Sequence, residues 1–254
     1  MEPSVAIAQE ALIPRFVRSA LYAAVLLLAG CASGQQWTLV EGQHPQSFET
    51  EITKTINAQF LLFLPEGFAN DGRKWPLIVF LHGSGERGTD LEKVKIHGPP
   101  MMVEKKKDFP FIVVSPQAEA GRNFEGDALI PLLNKLVRKL PVDKDRIYLT
   151  GLSMGGFATW GWAVQEPGRF AAIAPIAAGW ATEDACKVKG IPTWAFHGAK
   201  DGVVPIGPHQ QMIDAVNACG GNAKMTVYPE ADHDSWTATY ANPELYEWFL
   251  QHRL

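Results

Sequence analysis

RIYLTGLSMGGFATWGWA, Arg146 to Ala163, joins a strand-like run to a helix-like run through Gly151-Leu152-Ser153-Met154-Gly155. Ile147, Tyr148, Leu149 and Thr150 are the β-branched, aromatic and apolar residues of a strand, and the charged Asp143-Lys144-Asp145-Arg146 before them reads as a turn. After the glycines, Met154, Phe157, Ala158 and Trp162 recur near helical spacing until Pro167-Gly168 ends the run. The pattern therefore places Ser153 on a sharp turn between a strand and a helix. A serine hydroxyl becomes a useful nucleophile only when it is exposed, next to a base and close to donors for the oxyanion it creates. The turn provides exposure, and the first N–H groups of the helix are free to donate. G-x-S-x-G alone is common by chance, so its meaning depends on partners elsewhere in the chain.

Working outward, the chain alternates strand and helix signals. Trp37 to Val40, Phe48 to Ile56 and Gln59 to Leu64 read as edge strands, ended by Pro65-Glu66-Gly67. Leu77 to Leu81 and Phe111 to Val114 are continuous apolar runs of the kind buried on both faces. Leu129, Leu132, Leu133, Leu136, Val137 and Leu140 mark an amphipathic helix, with Asp127 as its expected cap and Pro131 in its first turn. Ala171 to Ile176, Thr193 to Phe196 and Met225 to Tyr228 are further strands, and helices are predicted near Gln210 to Ala218 and Pro243 to Gln251. The fold class this implies is α/β: a mostly parallel central sheet with helices on both faces. Between Ile176 and Ile191 only a short loop fits, so no large cap is expected over the sheet edge.

Open parallel sheets place their chemistry beyond the carboxyl ends of the strands. Ser153 follows the central strand. His197-Gly198-Ala199-Lys200-Asp201 follows the next-to-last strand, and Asp232-His233-Asp234 follows the last. These positions give Ser153 as candidate nucleophile, His233 as base and Asp201 as the acid that orients the imidazole and stabilises its charged form. The oxyanion donors would be the backbone N–H groups of Met154 and of Ser84 in His82-Gly83-Ser84-Gly85, with Gly85 as the alternative to Ser84. His82 and His197 each stand directly before a glycine at a strand end and read as structural. Asp232 and Asp234 read as loop caps. Trp180 and Trp236 are expected to wall the substrate pocket, whereas Trp75, Trp160, Trp194 and Trp248 read as core or interface fill. No zinc-spaced His/Cys cluster, phosphate loop or dinucleotide fingerprint occurs, so no metal or cofactor is expected.

At 254 residues and 46% apolar composition the chain can bury one large core, and a net charge of -4 gives no basic patch for nucleic acid. Arg15 and Arg18 precede an apolar run, Ala20 to Gly30, that is too short to cross a bilayer but suits a signal-peptide core. Residues 1–30 are thus expected to be a signal peptide, residues 31–36 a tether and residues 37–254 the catalytic domain. Leu28-Ala29-Gly30-Cys31 resembles the lipobox of bacterial lipoproteins. That resemblance implies lipidation of Cys31 and attachment to a bacterial membrane on the periplasmic or cell-surface side; without lipid the protein would be secreted. The stretch before Arg15 is unusually long and mixed in charge for such a signal. In an oxidising compartment Cys186 and Cys219 are expected to form a disulfide, the alternative being two buried free thiols.

LHGSGERG, RIYLTGLSMGG, WAFHGAKDGVVP and HDSW together resemble the α/β-hydrolase superfamily over essentially the whole chain after residue 36, and the order Ser, Asp, His matches its triad. Within it the chain looks most like phospholipase/carboxylesterase and dienelactone-hydrolase-like serine esterases, near feruloyl esterases and polyhydroxyalkanoate depolymerases. The serine at position 153, where dienelactone hydrolases carry cysteine, argues against that substrate. The resemblance implies an exported serine esterase acting through an acyl-enzyme on short-chain acyl, aromatic or polymer-linked esters, as a monomer and without nucleic-acid partners. The alternatives are a peptidase of the prolyl-oligopeptidase type, which would lack that family's propeller, and a catalytically silent surface lipoprotein.

Overall fold

In the computed structural model the described residues are 59–68, 72–124 and 126–254. The expected signal peptide, Cys31, the tether and the strands at Trp37 to Val40 and Phe48 to Ile56 lie outside them. Among the described residues seven strands form one sheet in the order β1-β3-β2-β4-β5-β6-β7. They are β1 (Phe60–Phe63), β2 (Trp75–Leu81), β3 (Ile112–Pro116), β4 (Val142–Leu152), β5 (Ala172–Ile176), β6 (Thr193–Gly198) and β7 (Ala223–Tyr228). Only β1 runs antiparallel, against β3; every other pairing is parallel. The edge strand read at Gln59 to Leu64 is β1.

The alternation of side chains along a strand divides the core in two. Leu77, Val79 and Leu81 of β2 enter one buried cluster with Ile147 and Leu149 of β4. Ile78 and Phe80 enter the other with Tyr148. All of these are nearly or completely withdrawn from water, which contributes about 1.5–3 kcal/mol for each large side chain. Helices α2 (Gly126–Lys139), α3 (Met154–Gln165) and α4 (Ile206–Ala218) cover the first cluster through residues such as Leu133, Trp160 and Met212. Helices α1 (Gly98–Val103), α5 (Trp236–Ala241) and α6 (Pro243–Leu250) cover the second through Val103, Tyr240, Leu245 and Phe249. The expected tryptophans follow suit: Trp75, Trp160 and Trp194 are buried and Trp248 packs at the core edge.

Three local readings need correction. Asp143 to Arg146 is not a turn before the strand but part of β4. Trp75 pairs with Val142 and Leu77 with Ile147, so β4 bulges between those pairs. Within the bulge Asp143 accepts from the Asp145 N–H and from Arg146 Nε, so charge is handled locally. Helix α2 starts at Gly126, which puts Asp127 inside the helix rather than at its cap and moves Pro131 into the second turn, where it cannot donate the backbone bond of its turn. Helix α4 begins at Ile206, earlier than predicted, because Pro208 falls within its first turn, where a missing N–H is tolerated.

Between β5 and β6 the chain makes only a short 3₁₀ segment, Thr182–Lys187, so among the described residues no large cap is inserted there. Cys186 in that segment is bonded to Cys219 at the end of α4, with Cα atoms 5.3 Å apart. The bridge closes 33 residues, which the chain-entropy treatment values at about 3.5–4 kcal/mol.

Candidate active site

The carboxyl edge of the sheet collects the three candidate residues from three loops. Ser153 directly follows β4 and is held at φ 50, ψ −117, a backbone conformation that a residue with a side chain rarely adopts. Strain of this kind costs on the order of 1–3 kcal/mol and persists only where the surroundings impose it. Here they do: the Ser153 N–H donates to Ile176 O at 2.9 Å, and its carbonyl accepts from Phe157 N at 3.0 Å. The helix that follows is pressed against the strands. A Cβ on Gly155 would lie 2.0 Å from Leu81 O, and one on Gly156 would lie 2.4 Å from Ile176 O, so only glycine fits at either position.

Asp201 and His233 meet because the loops after β6 and β7 are joined. Ala199 N donates to Tyr228 O and Lys200 N to Ala231 O, both at 2.9 Å. Asp201 has a fully buried side chain. Its Oδ1 accepts from the N–H groups of Val203 (2.9 Å) and Val204 (2.8 Å). Its Oδ2 lies 2.8 Å from His233 Nδ1. Burial pushes the Asp201 carboxyl upward, but the hydrogen bonds from His233, Val204 and Val203 outweigh it and hold the pKa below the ordinary aspartate value. A carboxylate can only accept, so Nδ1 of His233 carries the proton. Its Nε2, 3.0 Å from Ser153 Oγ, is then free to accept the hydroxyl's hydrogen. The arrangement can therefore draw a proton from Ser153 Oγ toward Nε2 while the carboxylate steadies the imidazole.

The rival side chains have other work. His82 Nε2 accepts from Ala118 N at 3.0 Å and its Nδ1 donates to Gly83 O at 2.6 Å, so it ties its loop to the segment after β3. Asp232 accepts from the Asp234 N–H, and Asp234 caps Thr237. His197 is more than a loop anchor. Its Nε2 lies 2.9 Å from Val204 O and 3.2 Å from Asp201 Oδ2, two acceptors, so it carries hydrogen and supplies a further donor to the carboxylate. Its Nδ1 must then accept, and the donor is Nδ1–H of His209, 2.8 Å away. His209 is completely buried, its Nε2 has no partner, and burial next to His197 pushes its pKa down to about 3. Sequence reasoning missed this pair because nothing local to either residue announces the contact.

Of the expected oxyanion donors, Met154 is the first residue of α3, where backbone N–H groups have no partner within the helix. Ser84 is exposed and opens a 3₁₀ turn, Ser84–Glu86, beside the elbow: a Cβ on the preceding Gly83 would touch Leu152 Cδ1 at 2.7 Å. Next to Ser153 is a cavity of about 450 Å³. Trp180 lines it, its Nε1 held by Asp184 Oδ2 at 3.0 Å. Trp236 does not line it. It packs edge-on to His233, with ring centres 5.0 Å apart, and also contacts the His97 ring at 5.7 Å. Phe124, Arg87 and Asn123 are wall residues that the sequence pattern did not single out, and Phe157, read there only as part of the helix face, is another. Among the described residues no group of three or more His, Cys, Asp or Glu is placed to hold a metal ion.

Comparison with known proteins finds relatives of this fold. Residues 117–242 match the phospholipase/carboxylesterase family. Poly(3-hydroxyalkanoate) depolymerase C of Paucimonas lemoignei is 30% identical over 179 residues, 64% of this chain and 39% of that protein. The probable feruloyl esterase C of Aspergillus terreus is 26% identical over 194 residues, 74% of this chain and 67% of that one. Among solved structures, a thermostable esterase superposes with a TM-score of 0.67 at 31% identity, covering 77% of this chain and 59% of the other. The chain thus spans well under half of the depolymerase and three fifths of the solved esterase. Sheet order, strand-end loops and these likenesses give the chain the α/β-hydrolase fold and a likeness to esterases that carry it.

Proposed function

We propose that the protein hydrolyses carboxylic esters through Ser153. The observation that carries this reading is the relay in which Ser153 Oγ lies 3.0 Å from His233 Nε2 and His233 Nδ1 lies 2.8 Å from the buried Asp201. As Oγ attacks the ester carbonyl, its proton passes to Nε2 and the carbonyl electron pair moves onto oxygen, toward the N–H groups of Met154 and Ser84. Collapse of that intermediate breaks the bond to the leaving alcohol, which takes the proton from His233. Water then attacks the acyl-enzyme and gives a proton to His233, and collapse of this second intermediate breaks the bond to Oγ, releasing the acid as His233 returns the proton to Ser153.

The open sheet edge, without a large cap, suits bulky leaving groups, including aromatic and polymer-linked alcohols. The names of the depolymerase and feruloyl esterase relatives point the same way. Export is part of the proposal. The Cys186–Cys219 bridge fits an oxidising compartment, and lipid on Cys31 would hold the enzyme at a bacterial membrane.

The test is turnover of p-nitrophenyl acetate and butyrate, of hydroxycinnamoyl esters and of poly(hydroxyalkanoate) by wild type and Ser153→Ala. The substitution should lower kcat by on the order of 10⁴ to 10⁶ with substrate binding less affected. Cleavage of peptidyl anilides but not of esters would instead favour the peptidase reading, and unchanged ester turnover in Ser153→Ala would end the mechanism.

A further inference from the structure

The cavity beside Ser153 has aromatic walls, from Phe124, Phe157, Trp162 and Trp180, and among the described residues its one charged lining residue is Arg87. The backbone that carries Arg87 is fastened on both sides. Before it, Gln117 Nε2 donates to Glu86 O at 2.8 Å; after it, Gly88 N donates to Ala118 O at 2.9 Å. The same Gln117 nitrogen reaches Asp90 O at 2.8 Å. The guanidinium is therefore presented from a fixed loop, not from a free one.

Its hydrogen bonding is incomplete. Nη2 donates to Asn123 Oδ1 at 2.5 Å, a neutral acceptor, and the buried Nε has no partner. The neighbouring acid Glu86 turns to His97 instead, 4.0 Å away. A guanidinium offers five N–H donors in a planar fork, stays charged at any working pH and matches a carboxylate in two parallel hydrogen bonds. The Nη2 contact faces solvent while Nε is buried, so beside the aromatic walls a positive charge whose partner among the described residues is an amide oxygen acts at close range on whatever enters.

We propose that Arg87 makes this cavity selective for esters that carry a carboxylate on the part of the substrate it receives. This rests on the ester-hydrolase reading above and names its substrate class: half-esters of dicarboxylic acids if the acyl group occupies the cavity, or esters of carboxylated alcohols and phenols if the leaving group does. A neutral ester of the same shape leaves the charge unanswered, and an aliphatic one leaves the N–H groups desolvated without an acceptor.

The experiment measures kcat/KM by pH-stat for two matched pairs on the purified protein. Monoethyl adipate is set against ethyl adipamate, and 4-carboxyphenyl butyrate against 4-carbamoylphenyl butyrate. In each pair carboxylate and carboxamide are nearly isosteric and only the charge differs. The anionic member of one pair should be favoured by about 10- to 100-fold, as a charge-assisted, two-bond contact warrants. Whichever pair shows it assigns the cavity to the acyl or the alcohol side. The ratio should collapse toward one in Arg87→Gln and be partly restored in Arg87→Lys, which keeps the charge but not the fork. Because the readout is a ratio within one protein, a general loss of folded enzyme does not imitate the result. Equal or better turnover of the carboxamides in both pairs, or an anionic preference that survives Arg87→Gln, overturns the inference and leaves ester hydrolysis standing. No turnover of any of the four by wild type, together with none of simple p-nitrophenyl esters, overturns both.

Discussion

His209 makes the fold sensitive to acid in a way that can be measured apart from catalysis. It is completely buried against the end of β6, donates through Nδ1 to His197 and has no acceptor or donor at Nε2, so its surroundings are built for a neutral ring. Its pKa in the folded protein is pushed down to about 3 by burial, with His197 adding to the effect, against an ordinary value of 6.5. Because the folded value lies below the unfolded one, the unfolded chain holds the extra proton between the two, and stability falls as pH drops below about 6.5. From pH 7 to pH 5 the loss from this one group is about 2 kcal/mol, and it keeps growing toward pH 3. The assay is urea unfolding of wild type and His209→Gln at both pH values. Gln keeps an N–H to offer His197 but does not titrate. Wild type should lose about 2 kcal/mol more than the variant between pH 7 and 5, or roughly 4–8 °C in Tm for a domain of this size. Contributions from His82 and His252, whose pKa values are also lowered by burial, cancel in the comparison. Equal losses in the two proteins would show that His209 is not held neutral and would refute the reasoning.

Two further outcomes follow from the geometry. Replacing Cys186 and Cys219 together by serine should lower stability by about 3–4 kcal/mol and Tm by on the order of 10 °C, whereas co-melting with wild type would mean that the bridge adds nothing to the fold. Gly155→Ala puts a Cβ 2.0 Å from Leu81 O, so β2 and α3 must separate and carry Ser153 with them. Ester turnover should drop by at least about 100-fold, as an ångström of misplacement warrants, and near-native activity would show that the elbow tolerates more than its contacts allow.

How much of this was readable in the chain differs from element to element. The G-x-S-x-G elbow and the acid and histidine at the next strand ends were legible because parallel strands fix both order and side: residues following β4, β6 and β7 must emerge at one edge. The bulge at Asp143 to Arg146 was not, since a charged tetrad looks like a turn until Trp75 and Val142 are seen to pair across the sheet. The start of α4 was hidden by Gly207-Pro208, which reads as a break but sits in a first turn. Whether Cys186 and Cys219 bond depends on a Cα separation of 5.3 Å that no spacing reveals. Trp180 and Trp236 were indistinguishable by position, and only packing separates the cavity wall from the ring laid against His233. His197 was read only as a structural histidine at a strand end, and Arg87 and His209 were not singled out, because their partners, Asn123 and His197, are set by tertiary contact.

The central claim is an activated serine at the elbow, and reaction of the purified protein with a fluorophosphonate probe, followed by peptide mass spectrometry, tests it most directly. The account predicts a single adduct on Ser153 that is lost in His233→Ala although that variant remains folded. Folded wild-type protein that does not label, or that labels at Ser153 equally well without His233, would contradict it.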